Sequence, residues 1–307
     1  MQNVVEVEGL VKRYGSLTAV DQISFTVREH EIFGLLGPNG AGKTTTLECI
    51  EGLRQPDGGQ IRVLGLDICA QREELRGKIG VQIEDGMPFS HLTVKENLDL
   101  AASVYPRPSD TEQLIAWIGL EEQKHSLAAK LSRGQRQRLT VVMALVGNPS
   151  VVSLDEPTLG FDPKARRLFW DLLDELRREG KSIILSTHVM EEAEKVCDRV
   201  AIIDQGKLLA LDTPRALISR FEQQTAIECK FEEGSEVNAQ TLEKLPAVTE
   251  VKTLQETFVI YSEEVVKTLV PLIAMAQDDP VRFKGLNVRH ATLEDVFISL
   301  TGGRLQS

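Results

Sequence analysis

Apolar residues recur along the chain in two rhythms: short runs of strand length, rich in Val, Ile and Leu, and amphipathic stretches of helical length. Ile32 to Leu36, Val151 to Leu154, Ile183 to Ser186, Val200 to Ile203 and Leu208 to Leu211 are runs of the first kind. A helix is expected to leave the first of them at Lys43 to Ile50, a charged one to follow the second at Pro163 to Glu179, and a short one to lie near Pro214 to Phe221. That alternation predicts an α/β domain over about residues 1–221. Between about Thr93 and Gly147 the pattern is helical only, with candidate helices at Thr93 to Val104, Thr111 to Ile118 and Gln135 to Val146. The α/β core is therefore expected to carry a helical insert, about residues 86–148.

Residues 222–307 read differently. Strand (Ala226 to Phe231), helix (Ala239 to Leu245), strand (Val248 to Leu254), strand (Phe258 to Tyr261), helix (Glu263 to Ala276) and strand (Leu286 to Arg289) follow one another, with a closing helix from Thr292 to Leu300. A βαββαβ order predicts a small α+β domain of ferredoxin-like type. From Phe221 onward there are 8 Lys or Arg against 14 Asp or Glu, so this segment carries more than half of the net charge of −11.

Composition narrows the function. With 307 residues, 42% of them apolar, the chain can bury a sizeable core and form two domains. The excess of acid over base argues against a nucleic-acid partner, because a duplex-binding surface needs a basic patch. Cys49, Cys69, Cys197 and Cys229 stand singly, without metal-ligand spacing, and read as reduced thiols. Runs free of charged or amide side chains, such as Thr268 to Ala276, reach about half the ~20 residues of a spanning helix. The first residues lack the basic and apolar regions of a signal peptide. The expected location is the cytosol, with any membrane work done through a partner's span.

The strongest chemical signal is Gly37-Pro38-Asn39-Gly40-Ala41-Gly42-Lys43-Thr44, a G-x4-GK[ST] sequence between a strand and a helix. Glycines let the backbone curl so that successive N–H groups face one anion, and the helix N-terminus adds its dipole. Lys43 can reach the β- and γ-phosphates of a nucleotide and the Thr44 hydroxyl can ligate Mg2+. Downstream, Val151-Val152-Ser153-Leu154-Asp155-Glu156 is a strand ending in two acids. It places Asp155 near the metal and Glu156 where it can polarise a water.

With these motifs the chain resembles the nucleotide-binding subunit of ATP-binding cassette (ABC) transporters over about residues 4–215. The resemblance implies that Tyr14 stacks on adenine and that Thr45 joins the phosphate loop's contacts. Leu131-Ser132-Arg133-Gly134-Gln135 resembles the family's signature, Gly160-Phe161-Asp162 its D-loop, and His188 its switch histidine. In the family two cassettes pair head to tail, so Ser132, Arg133, Gly134 and Gln135 would face the ATP held by the partner's Lys43. Glu156 would be the general base, and His188 would hold water, γ-phosphate and the Asp162 turn in register. The implied cofactors are ATP and Mg2+. The implied partners are a second cassette, most simply another copy, and an integral membrane permease that holds the chain at the cytoplasmic face.

Two positions depart from the family. Glu84 stands where glutamine is usual, and a two-residue shift would let Gln82 serve instead. Arg133 replaces the signature's first glycine. Both leave open an ATP-binding regulatory cassette with little turnover; a soluble, non-transport cassette ATPase is the other alternative. The closing Ala291-Thr292-Leu293-Glu294-Asp295-Val296-Phe297-Ile298-Ser299-Leu300-Thr301-Gly302 resembles the ending of drug- and antibiotic-exporter ATPases of the daunorubicin-exporter kind. Its bare pattern also fits a helix that merely packs on its own domain. In the loop after Glu84, Met87 and Phe89 would be costly to expose unless a partner, or the insert's own core, covers them.

Overall fold

Val5, Val7 and Leu10 on β1 (Asn3–Tyr14) and Val20, Ile23, Phe25 and Val27 on β2 (Leu17–Arg28) are buried, with mainly polar residues between them turned outward. In the computed structural model, which describes residues 2–83, 86–219, 225–232, 237–254, 257–275 and 283–301, these two strands open a four-stranded antiparallel sheet. With β3 (Ile32–Leu36), β4 (Gly58–Val63) and β5 (Leu66–Asp67) next along the chain, that sheet runs β2-β1-β4-β5. Its apolar face shares one core with β3, where the Phe25 and Phe33 rings stack at 5.0 Å.

The second sheet comprises β3, β6 (Ile79–Gln82), β7 (Val151–Asp155), β8 (Ser182–Thr187), β9 (Arg199–Asp204) and β10 (Lys207–Asp212), in the order β10-β9-β3-β8-β7-β6. All neighbours are parallel except β10 on β9. Every residue of β3, β7 and β8 is buried, as expected for strands covered on both faces. Because β3, β6, β7 and β8 run the same way, their C-terminal ends lie at one edge of the sheet. Gly37, Gln82, Asp155 and Thr187 therefore come together there, at the place where open α/β sheets bind ligands.

Between β6 and β7 the helices Val94–Ala102, Thr111–Trp117 and Arg133–Met143 form the insert. The third begins at Arg133 rather than Gln135, because Ser132 caps it: the Gln135 amide donates to Ser132 Oγ at 3.2 Å and the Ser132 amide donates to Gln135 Oε1 at 2.9 Å.

The chain divides into two compact units, Met1–Thr213 and Pro214–Ser307. In the second, β11 (Thr225–Phe231), β12 (Val248–Leu254), β13 (Thr257–Ser262) and β14 (Phe283–His290) form an antiparallel sheet of order β12-β13-β11-β14. With helices Ala239–Leu242 and Val265–Met275 in the two crossovers, this is the ferredoxin-like arrangement. Ile227, Cys229, Leu242, Ile260 and Leu272 fill one side of the sheet. On the other side the helix Leu293–Thr301 is tied down by Asp295, which accepts a 2.7 Å bond from the Tyr261 hydroxyl.

Candidate nucleotide site

The loop from Gly37 to Gly42 curls because two of its positions admit no side chain. A Cβ on Gly37 would sit 2.1 Å from the Ile203 carbonyl oxygen. One on Gly42, whose φ is +102°, would sit 2.4 Å from the Ala19 carbonyl oxygen. The helix Lys43–Ile50 starts directly from that turn, so its free N–H groups face the loop's concavity. A cavity of about 390 Å3 opens there, lined by Tyr14, Leu17 and Ala19 at one end and by Asn39, Gly40, Ala41, Gly42, Lys43, Thr44, Thr45 and Glu156 at the other.

At the polar end Glu156 is held from two sides. Its Oε1 lies 3.1 Å from Lys43 Nζ, and its Oε2 lies 2.8 Å from His188 Nδ1. Lys43 also donates to the Gly37 and Pro38 carbonyls at 2.8 and 3.1 Å. Lys43 and Glu156 are both buried, whereas the His188 side chain is 41% exposed. Glu156 has φ +47°, a left-handed conformation that costs energy for a residue with a Cβ and that clusters at functional sites. Its amide donates to Ser186 Oγ at 3.0 Å, which helps hold that turn.

Asp155, 3% exposed, hydrogen-bonds the Ser186 hydroxyl and lies beside the Thr44 hydroxyl. Burial pushes its carboxyl above the ordinary range; the Ser186 and Thr44 hydroxyls and Lys43 pull it back, and Glu156 pushes it further up. Ser186 is a residue that sequence reasoning missed, although a polar Ser-Thr pair closing an all-apolar strand was the available signal. Gln82, 2% exposed, donates to the Ile83 and Asp155 carbonyls at 3.0 and 3.2 Å, and its buried Oε1 has no hydrogen-bond partner among the described residues. Glu84 lies outside the described residues.

Ser132, Arg133, Gly134, Gln135 and Asp162 do not line the cavity. Gly134 instead abuts the D-loop turn, where an added Cβ would come 2.9 Å from the Gly160 carbonyl oxygen. Asp162 caps the helix Pro163–Arg178 by accepting from the Ala165 amide at 2.8 Å. Tyr14 does line the cavity, with Lys12 and Arg54 over its ring at 5.7 and 5.4 Å from the centroid. Beyond the insert's first turn, Phe89 is 51% exposed and Met87 72%. Their loop is pinned through its backbone, since Asn97 accepts from the Phe89 amide at 2.8 Å and donates to its carbonyl at 3.1 Å.

Comparison with known proteins agrees with this geometry. A model of the family described as ABC transporter matches residues 20–159. The chain is 38% identical to the Nod factor export ATP-binding protein I of Ralstonia nicotianae, covering 99% of this chain and 95% of that protein. A solved ATP-binding subunit of an ABC transporter is similar at 32% identity and a TM-score of 0.64, over 71% of this chain and 93% of that one. The cbiO1 subunit of Clostridium perfringens, part of the ABC transporter complex cbiONQ, is similar at 28% identity and a TM-score of 0.63, over 71% and 92%. A phosphate loop, a strand-end carboxylate pair and a histidine on one edge of a parallel sheet, in a chain this similar to those proteins, establish that it belongs to the ATP-binding subunits of ABC transporters, whose cassettes are ATPases coupled to transport.

Proposed function

We propose that this chain drives export through a separate membrane permease, with Glu156 as the general base of ATP hydrolysis. The observation that carries the reading is Glu156 itself, a buried carboxylate set between Lys43 and His188 at the mouth of the phosphate loop. Phosphates entering the loop attract Lys43 away from Glu156, because the loop amides and the helix terminus already favour negative charge there. Glu156, kept in place by the Ser186 hydrogen bond and by His188, is then free to accept the proton of an attacking water. His188 keeps that carboxylate aimed, and Tyr14 with Leu17 and Ala19 provides an apolar seat for the base. Phosphoryl transfer requires mainly such positioning and charge neutralisation.

The donor set beside the loop fits Mg2+. Asp155 and the Thr44 hydroxyl are hard oxygen donors, and a cation would offset the burial that disfavours the Asp155 anion. Few protein oxygens suffice, since Mg2+ takes the rest from phosphate and water; among the described residues no cluster of three or more metal-ligating side chains competes. Bound there, the ion supplies charge neutralisation at the transferring phosphate.

The signature residues support pairing with a second copy. Ser132, Gly134 and Gln135 sit at a capped helix N-terminus outside their own chain's cavity, which suits presentation to another subunit's phosphate. No helix among the described residues is long and apolar enough to cross a membrane, so transport requires a membrane partner, and the exposed Met87 and Phe89 offer it an apolar contact. Export follows from the name shared by the relatives, and the cargo belongs to that membrane partner.

The test is Glu156→Gln. It should lower turnover by about 10²- to 10³-fold while leaving ATP bound, and sedimentation with ATP and Mg2+ should show a dimer where the parent shows mostly monomer. Parental turnover in this variant would remove Glu156 from the role of base.

A further inference from the structure

Glu192 lies on the helix Met190–Val196 and is completely buried, yet among the described residues no cation pairs with it. Both of its carboxyl oxygens, and the neighbouring Trp170 Nε1, are buried without a well-aligned hydrogen bond. The groups around the carboxyl are the hydroxyls of Thr187 and Thr158 and the Trp170 indole. A solitary buried carboxyl is expensive, and burial pushes it toward its neutral form, with the nearby Glu156 acting in the same direction. Leu or Met would fill the volume at lower cost, so a stabilising role does not account for the acid.

What the acid joins gives the reason for it. Thr187 immediately precedes His188; its hydroxyl oxygen accepts from the Val189 amide at 3.0 Å, which leaves its proton to donate. Thr158 lies two residues after Glu156, and its carbonyl accepts from the Phe161 amide at 3.0 Å within the D-loop turn. One carboxyl thus stands between the two segments that carry the base, the histidine and the Gly160-Phe161-Asp162 turn. We propose that Glu192 is a positioning residue, its carboxyl bridging the Thr158 and Thr187 hydroxyls so that the His188 loop and the D-loop turn move as one body. The proposal rests on the hydrolytic reading of the site. Glu192 does not line the nucleotide cavity and acts through His188 and the turn. Trp170 reports on it directly, because its indole borders the same carboxyl.

The experiment uses the full chain. Glu192→Ala should lower kcat for ATP at least tenfold with KM for ATP within twofold, and Glu192→Gln, which keeps the volume and the hydrogen-bonding ends, should recover kcat to within threefold of the parent. A second arm is independent of hydrolysis. In a Trp117→Phe background Trp170 is the single tryptophan; ATP should change its emission, Glu192→Ala should abolish that change while ATP still binds, and Glu156→Gln should retain it. Should Glu192→Ala fail to fold, Thr158→Val tests the other end of the bridge and should lower kcat severalfold at unchanged KM. A folded Glu192→Ala with parental kcat, equal losses in kcat and ATP affinity, or a parental kcat in Thr158→Val would overturn the proposal. A failure of Glu156→Gln to lose turnover alongside an intact Trp170 response would strike the hydrolytic assignment instead.

Discussion

Each unit of this protein sets a buried carboxylate against a cation, and the two pairs are finished differently. In the second unit Asp295, 1% exposed, accepts from the Tyr261 hydroxyl at 2.7 Å, from Arg289 Nη2 at 3.0 Å, and from the Thr292 amide and hydroxyl at 2.8 and 2.9 Å. Burial alone would raise the Asp295 carboxyl, but these donors outweigh it and hold it below the usual range. Arg289 also reaches Glu228 at 2.7 Å, which extends the network. In the first unit the Lys43–Glu156 contact is an ion pair without an aligned hydrogen bond, and it rests on a residue with positive φ. A fully satisfied pair locks a helix onto a sheet; a partly satisfied one at a cavity mouth can be taken apart by a ligand.

The sharpest way to break this contrast is Lys43→Ala. It removes the ammonium and leaves Glu156 buried where phosphates must come, so ATP affinity should fall by at least about a hundredfold. Calorimetric titration measures it, and an affinity within tenfold of the parent would mean that the loop amides alone hold the phosphates. In the second unit Asp295→Ala should instead cost about 3 kcal/mol of stability, because Arg289 and Tyr261 lose their shared acceptor. Hydrogen exchange should place that loss in β11–β14 while ATP affinity stays parental; exchange spread evenly over both units would contradict it.

A smaller effect concerns Glu51, which lies behind the site and accepts from Ser153 Oγ at 2.6 Å, while its Oε2 has no hydrogen-bond partner among the described residues. Burial raises its carboxyl to about 7, with the Ser153 bond opposing and Asp155 and Glu48 adding to the rise. The native state therefore holds a proton that the unfolded chain releases near pH 4.5, and stability should fall by about 2 kcal/mol as pH rises from 5 to 8. Glu51→Gln should flatten that slope in urea unfolding at the two pH values. An unchanged slope would assign the pH dependence to other groups. Smallest in its effect on the isolated chain is Phe89→Ala. With half of the ring exposed, it should alter ATP affinity less than twofold and stability by under about 1 kcal/mol, yet weaken co-purification with a permease about tenfold. Unimpaired co-purification would remove Phe89 from the docking surface.

Local pattern announced much of the fold. The closing unit was legible element by element, because apolar runs of strand length and of helical length alternate along its sequence. The opening sheet was not. Along β1 the pairing register with β2 shifts between Val7 and Leu10 and again before Lys12 and Arg13, so the alternation that would mark a twelve-residue strand is broken. The glycine loop and the Asp155-Glu156 pair were readable as candidates because each ends a buried strand, and His188 through the family resemblance. Ser186 and Glu192 were not, because a serine or a glutamate gains a site role only through neighbours that are distant in sequence.

The sequence by itself determined where the chain before the helix Lys43–Ile50 can curl into a loop. Gly37 and Gly42 are required by backbone approach and positive φ, and those are local properties of the turn. It also determined that β3 is buried on both faces, because Ile32, Phe33, Leu35 and Leu36 leave it no polar face to solvate. Only the tertiary structure decided the partners. Parallel pairing of β3, β8 and β7 brings Lys43, Glu156 and His188, spread over 146 positions of chain, within hydrogen-bonding reach, and it leaves Ser132 to Gln135 outside that cavity. Contact across a sheet is set by strand order, and strand order comes from the packing of the whole core rather than from any segment within it.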